Sequence, residues 1–432
     1  MIRVCDAIMG SGKSQSARHL MNTNPHKRFI YISPYKQDGP EIAADCPDLH
    51  FVLPAHLPQY SLSKTEHCKE LLQRGCNVAC THELFKRYTP EILQTIREQH
   101  YTIIIDEEVA VMEECKLHTD DLSILLEIGY LAPDENGNLI KTEKCNNYKG
   151  RAYKDFMQIL ESRKLNATGD DEGNKYFYWQ LPPDLLAAFD DVYILTYMFD
   201  CQDIKYMLDI SGMEYRPIYI ARTPGDGYKF SDTPSYLPTY VSHLSDMIDI
   251  YEGDNLNDVG KPVKSKECPL SVGWMSRNVE KVDQLRRNLV NYFTNYAKGV
   301  SATEKMWSTY TGKPQEALSR RGYGAGFVAY NKRGSNEYRN RTWLAYCVSI
   351  YLPPQAKSYY SKYGITPDED ERALSIMIQW IWRSAIRDGE KISIYIPSER
   401  MRNLLKDWMA KVEADATSGR WAQHGQQYEM AS

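Results

Sequence analysis

The chain has 432 residues, 42% of them hydrophobic and 25% charged, which is the profile of a globular protein with enough apolar content for two or three domains. Its 52 Lys and Arg against 57 Asp and Glu leave a net charge of −5, so the whole chain is not a polyanion binder and any contact to nucleic acid must come from a local basic surface. No apolar run approaches the ~20 residues that span a bilayer, and the N-terminus reads as a strand rather than a signal peptide, which predicts a cytoplasmic protein with no membrane partner.

Residues 2–5 form a short predicted strand that runs directly into AIMGSGKSQSA, residues 7–17. Further short runs rich in Ile, Val and Tyr follow at 28–32, 77–81, 102–105 and 192–196, with amphipathic stretches such as 64–75 and 90–100 between them. Continuous apolar strands separated by helices predict an α/β fold with a parallel sheet covered on both faces. Polar, Gly- and Asn-rich stretches at 134–147 and 166–175 read as surface excursions, placing insertions at about 130–180 in a first domain of residues 1–215. Residues 216–269 turn Pro-, Gly- and Asp-rich and read as a linker. A second α/β domain is expected over 270–432: an opening strand in PLSVGWM (269–275), a helix over 279–298, strands at 326–330 and 344–352, a long helix over 368–387 and a strand at 391–396. Ten cysteines spread singly through the chain predict reduced thiols, and Cys76, Cys80 and His82 make too small a cluster for zinc. The 32 tyrosines read mostly as core and rim positions.

Two motifs carry chemistry. In the first, Gly10, Ser11, Gly12, Lys13 and Ser14 match a Walker A loop in the form A-x-x-G-x-G-K-S, with Ala7 where the first glycine would stand. Backbone N–H groups of such a loop curl around phosphates, the lysine reaches the outer phosphates and the hydroxyl takes Mg²⁺. In the second, YTIIIDEEVAVM (101–112), an apolar strand ends in Asp106 and Glu107. Carboxylates at the C-terminal edge of a parallel sheet suit Mg²⁺ coordination by Asp106 and general-base activation of water by Glu107. ATP and Mg²⁺ are the expected ligands. Further on, QWIWRSAIR places Gln379, Arg383 and Arg387 four apart, on one face if the segment is helical, as an arginine finger would require. Residues 319–341 hold six basic residues (Arg320, Arg321, Lys332, Arg333, Arg339, Arg341) against the single acid Glu337, with Tyr323, Tyr330 and Tyr338 interleaved. That combination suits a phosphate backbone and stacked bases.

AIMGSGKS, FIYISPY, VACTHELF, IIIDEEV, YILTYMF and QWIWRSAIR occur in the order of the motifs of superfamily 2 DEAD/DEAH-like helicases, and the chain resembles that family, especially compact members encoded by phages and prophages. The resemblance implies a P-loop NTPase of two RecA-like domains with ATP in the cleft between them. It further implies nucleic-acid contacts at Ser33, Pro34, Tyr35, Thr81 and His82, coupling at Thr196 and Tyr197, and, in NKRGSN, second-domain contacts to nucleic acid at Arg333 and Asn336 and to nucleotide at Gly334; Arg339 is expected to touch nucleic acid as part of the basic stretch. The family often sets its last two motif arginines three apart, whereas Arg383 and Arg387 are four apart. No Gln-bearing adenine-recognition segment is found ahead of the loop, so no base selectivity is implied. The expected function is a helicase-type ATPase that translocates on or unwinds DNA, with RNA also open as a substrate, in phage or prophage replication and alongside replication proteins. A non-unwinding translocase or remodelling switch, a terminase-like packaging ATPase and a small-molecule P-loop kinase are the alternatives.

Overall fold

The computed structural model describes residues 1–60, 62–115, 117–135, 138–148, 150, 152–169, 175–223, 225, 227–262, 267–332 and 337–418. The chain forms two compact units: one from Met1–Ala7, Gly12–Pro234 and Pro353–Pro367, the other from Ile8–Ser11, Ser235–Leu352 and residues from Asp368 onward. Both are α/β with parallel sheets, and among the described residues no helix is long and apolar enough to cross a membrane.

In the first unit, β1 (Ile2–Asp6), β2 (Arg28–Ser33), β3 (Val78–Thr81) and β4 (Tyr101–Asp106) are followed by an inserted sheet of β5 (Met112–Glu114), β6 (Leu131–Pro133), β7 (Asn138–Lys141), β8 (Lys164–Gly169) and β9 (Lys175–Gln180). The main sheet then resumes with β10 (Asp191–Thr196) and β11 (Tyr215–Pro217). Its spatial order is β11-β1-β10-β4-β2-β3, and every neighbouring pair is parallel. Ile103, Ile104 and Ile105 of β4 and Ile194 and Leu195 of β10 are fully buried, as strands covered on both faces must be. Because all six strands run the same way, Asp6, Ser33, Thr81, Asp106 and Thr196 end them at one edge.

The insertion is larger than the sequence suggests. It begins at Met112, its strands are antiparallel in the order β5-β9-β8-β7-β6, and it has its own core of Leu122, Leu125, Phe156, Leu165 and Trp179. It is tied to the segment after β3 by the Glu113–Lys86 ion pair and by Arg163 Nε donating to the Lys86 carbonyl at 3.2 Å, and Glu113 also pairs with Arg163; the Lys86 and Arg163 side chains are only 2% and 6% exposed. Residues 216–269 are not a linker. β11 pairs with β1, where an edge strand tolerates Pro217. It is followed by a hairpin of β12 (Tyr219–Thr223) and β13 (Gly227–Ser231), with Phe230 stacked on Tyr193 at 5.6 Å. Pro353–Pro367 also belongs to this unit, where the Tyr360 hydroxyl donates to Asp203 at 2.6 Å.

The second unit holds β14 (Ile248–Ile250), β15 (Lys305–Ser308), β16 (Trp343–Tyr346) and β17 (Ile392–Tyr395) in the parallel order β14-β17-β16-β15, packed on Leu285, Leu289, Tyr292, Phe293 and Trp307. The expected opening strand at 269–275 is instead part of a helix, Val272–Arg277. Ser271 caps it by accepting the Trp274 N–H at 3.3 Å, and Trp274 and Met275 are buried. Nor is 326–330 a strand: Gly324–Gly326 is a 3-10 turn and Phe327 makes only an isolated bridge to Trp307. The helix over 279–298 is shorter, Val279–Asn291, and ends in a π turn, Tyr292–Tyr296.

Burial opposes ionisation of Glu113, but Lys86 and Arg163 outweigh it and hold the carboxyl below its ordinary range. Glu113 is itself 35% exposed, so solvent screens part of the interaction, and Glu113→Gln should cost about 1 to 2 kcal/mol in denaturant unfolding at neutral pH, less than the removal of one member of a fully buried ion pair. The wild-type advantage is present above the ordinary Glu range and should be lost as pH falls through the depressed value.

Candidate functional site

The residues at the loop behave as a phosphate-binding turn requires. Gly10 and Gly12 take left-handed backbone angles, φ 73° and 96°, which a side chain would strain. Gly12 precedes the helix Lys13–Asn22, and no side chain caps that helix. The first N–H groups of the helix therefore have no intrahelical acceptor and converge with its dipole on one point. Lys13 is half-buried and its ammonium donates to the Ala7 carbonyl; burial lowers its pKa, opposed by Asp106, Asp6 and Glu107 among its neighbours.

Asp106, the last residue of β4, receives side chains from the helix after the loop, from β2 and from the short helix after β3. Its Oδ2 accepts the Ser14 hydroxyl at 3.0 Å and the Tyr31 phenol. Its backbone carbonyl accepts from His82 Nε2 at 2.8 Å, and since a carbonyl only accepts, Nε2 carries the proton. β4 stops at Asp106 because Glu107 turns left-handed, φ 64°, with its N–H on the Leu195 carbonyl at 2.9 Å. The two adjacent carboxylates are thus released from the alternation of a strand. Hydroxyl and carboxylate oxygens at Ser14 and Asp106 are the hard donors that Mg²⁺ prefers.

The other predicted residues of this unit sit around the same edge. Ser33 is buried at the end of β2, and its hydroxyl donates to the Tyr35 carbonyl at 3.2 Å; Pro34 and Tyr35 are half-buried. Thr81 caps the short helix His82–Phe85. Thr196 shares hydrogen bonds with Gln202, and its carbonyl accepts the Ala7 N–H at 3.0 Å, joining β10 to the base of the loop. Tyr197 passes its carbonyl to Gln202 at 3.0 Å.

Four contributors escape the sequence reading. Asp6 accepts the N–H groups of Met198 and Phe199 at 2.8 and 3.0 Å, fixing the turn after β10 to the strand before the loop. Tyr31 and Gln202 hold Asp106 and Thr196, and the Tyr228 ring lies on Gly12. An acid as the last residue of β1 is the one signal that could have been read in advance; the others depend on which strands become neighbours.

The second unit corrects two expectations. Gln379, Arg383 and Arg387 do not share a helical face, because the helix Glu369–Ile381 ends before the arginines. The Arg383 and Ser384 N–H groups bond back three residues, the Ser384 hydroxyl occupies the Ile381 carbonyl at 2.6 Å, and the Ala385 N–H leaves for the Arg341 carbonyl. Arg383 is buried, Arg387 is exposed on a separate 3-10 turn, and Gln379 donates to Ser375 at 3.3 Å. The basic stretch also divides. Tyr323 is core, stacked on Phe293 at 4.9 Å; Tyr330 packs on Tyr310; and Arg341 is a scaffold, donating to the Ala302 and Lys305 carbonyls. Arg339 pairs with Asp388, and Lys332 donates to Tyr338 at 2.6 Å. Arg320 and Arg321 are exposed, while Arg333, Gly334 and Asn336 lie outside the described residues.

Parallel strand ends, an uncapped glycine-bracketed helix start and a hydroxyl–carboxylate pair define a P-loop α/β protein. The chain is 34% identical over 412 residues to the SPbeta prophage-derived uncharacterized protein YonV of Bacillus subtilis (strain 168), covering 94% of this chain and 98% of that protein, and so belongs to the YonV family. Residues 242–409 match the family model described as the YonV C-terminal Rossmann-like domain. A solved structure of S. tokodaii Xpd4 is similar at a TM-score of 0.47 and 11% identity, with 94% of each chain covered.

Carboxylates crowd this edge enough to shift a neighbour. Asp38 is pushed up to about 6, first by burial and then by Asp106 and Glu107, against a hydrogen bond from Ser33. The folded state therefore holds a proton that the unfolded chain gives up near pH 4, and stability falls as pH rises through that window. Asp38→Asn should be more stable than wild type in denaturant unfolding at pH 7.5, with the gap roughly halved at pH 5 and gone below about pH 4.

Proposed function

We propose that the chain is a nucleic-acid-dependent nucleoside triphosphatase of helicase type that acts on DNA during phage or prophage replication. The observation that carries this reading is the joint of Ser14, Asp106 and the uncapped helix start at Gly12, which brings phosphate-binding N–H groups and acidic oxygens to one sheet edge. Ser14 and Asp106 would hold Mg²⁺, which when bound neutralises charge on the phosphates. Gly10, Ser11 and Gly12 offer the backbone of the loop, Lys13 supplies a positive charge, and Glu107, free of the strand's alternation, takes a proton from the attacking water. The bond that His82 donates to the Asp106 carbonyl links the acid to a residue proposed to touch nucleic acid, and the Ala7 N–H on the Thr196 carbonyl links the base of the loop to the proposed coupling segment. The prophage origin in the relative's name supports the biological setting.

Lys13→Ala should weaken nucleotide binding, whereas Glu107→Gln should bind nucleotide as wild type does and lose turnover by a factor on the order of 10² or more, since only the second removes the base alone. Arg383→Ala should lower kcat far more than it raises KM, with Arg387→Ala near wild type. Steady-state hydrolysis beside equilibrium binding reads all four, and normal turnover in Glu107→Gln would sink the assignment.

The nucleic-acid track is tested separately. Arg321→Ala and Arg339→Ala should each weaken binding to all sequences alike and reduce the salt slope by about one unit per lost phosphate contact. Arg341→Ala should instead lower the melting temperature, as its guanidinium is spent on backbone carbonyls. Fluorescence anisotropy with single-stranded and duplex oligonucleotides at two salt concentrations, beside a duplex-unwinding assay, distinguishes a helicase from a translocase.

A further inference from the structure

The β12–β13 hairpin supplies none of the hydrolytic groups, yet it lies on the loop. A Cβ built on Gly12 would fall 2.3 to 2.7 Å from three carbons of the Tyr228 ring, so the ring rests directly on the loop backbone. Arg222 is the cross-strand partner of Tyr228, and its guanidinium sits 5.3 Å from the ring centroid. The hairpin is anchored from below by Phe230 on Tyr193. Tyr228 is half-buried and Arg222 is exposed, which places an aromatic ring with a guanidinium over it beside the loop.

Topology gives this surface a direction. The acids Asp106 and Glu107 lie at the end of β4, which is separated from β1 by β10 on one side. β11, from which the hairpin follows directly, borders β1 on the other side. A nucleoside triphosphate with its terminal phosphate toward Asp106 runs along the loop and leaves it, base last, toward the hairpin. We infer that Tyr228 and Arg222 form the platform for the base and sugar of that nucleotide, an inference that rests on the nucleotide-binding reading above. An aromatic face and a guanidinium plane bind any base by stacking, and neither supplies a donor–acceptor pattern that separates adenine from guanine. The protein therefore takes purine triphosphates with little discrimination between them.

The test is equilibrium binding of ATP, GTP and inorganic tripolyphosphate to the full chain, in wild type, Tyr228→Ala, Tyr228→Trp and Arg222→Ala, each checked by thermal melting. Tyr228→Ala should weaken ATP and GTP by roughly 5- to 100-fold, the equivalent of one lost stacking contact, and leave tripolyphosphate within about two-fold. Tyr228→Trp should retain nucleotide affinity. Equal losses for ATP and tripolyphosphate would mean that the ring only shapes the loop, and unchanged ATP affinity would remove the platform altogether. A wild-type preference of ATP over GTP beyond about ten-fold would overturn recognition by stacking alone. Should Tyr228→Ala fail to fold, the exposed Arg222→Ala decides: a several-fold loss for ATP without loss for tripolyphosphate supports the platform, and no difference refutes it. Wild type that binds neither ligand overturns the nucleotide reading as well, whereas wild type that binds ATP no better than tripolyphosphate overturns the platform only.

Discussion

The carboxylate of Asp106 is the constraint on which the first unit turns. It can receive Ser14 and Tyr31 on one oxygen only because β1, β2 and β4 end at the same height, and they do so because every strand of the sheet is parallel. A residue more or less in β4 would rotate the acid to the other face of the sheet. The left-handed turn at Glu107 then matters as much as the acid itself, since it releases the next carboxylate from the strand's alternation at a position where a side chain is normally disfavoured. Backbone strain at such a point is tolerated where the surroundings hold it, and here the Leu195 carbonyl and the buried strands on either side do so.

The second link is between the loop and β10. The Ala7 N–H on Thr196 and the Asp6 carboxylate on Met198 and Phe199 couple two segments almost two hundred residues apart in sequence. Neither bond involves a group that hydrolysis would consume. The base of the loop and the turn after β10 are therefore joined by short polar contacts and not by packing alone.

Much of this was legible in the sequence. The longer strands β2, β4 and β10 carry apolar runs rich in Ile, Val and Tyr, and the loop and the acids after 105 declare themselves by residue type. What stayed hidden depended on partners distant in the chain. β11 and β14 are three residues each, too short for a periodic signal, and become strands only because an edge accepts them. QWIWRSAIR has helical spacing throughout, but Ser384 satisfies the last carbonyl and Arg341 captures the next N–H, so tertiary contacts end the helix early. Residues 319–341 look uniformly basic and aromatic, yet Tyr323 and Arg341 face inward to serve the fold. Charge and aromaticity announce a surface; they do not say which side chains reach it.

The segment Pro353–Pro367 interrupts the second unit and packs in the first, where Tyr206, Tyr359 and Tyr360 form a small aromatic cluster and Asp203 receives a phenol. The two units are therefore interleaved along the gene rather than arranged end to end. A fragment cut after Pro234 would lack the piece that covers Tyr206 and Asp203, and a fragment made from the remainder would carry two nearly buried tyrosines with nothing from their own unit to cover them. Cutting the chain into two separate pieces is accordingly constrained, because neither unit is a contiguous stretch that could be separated without taking part of the other.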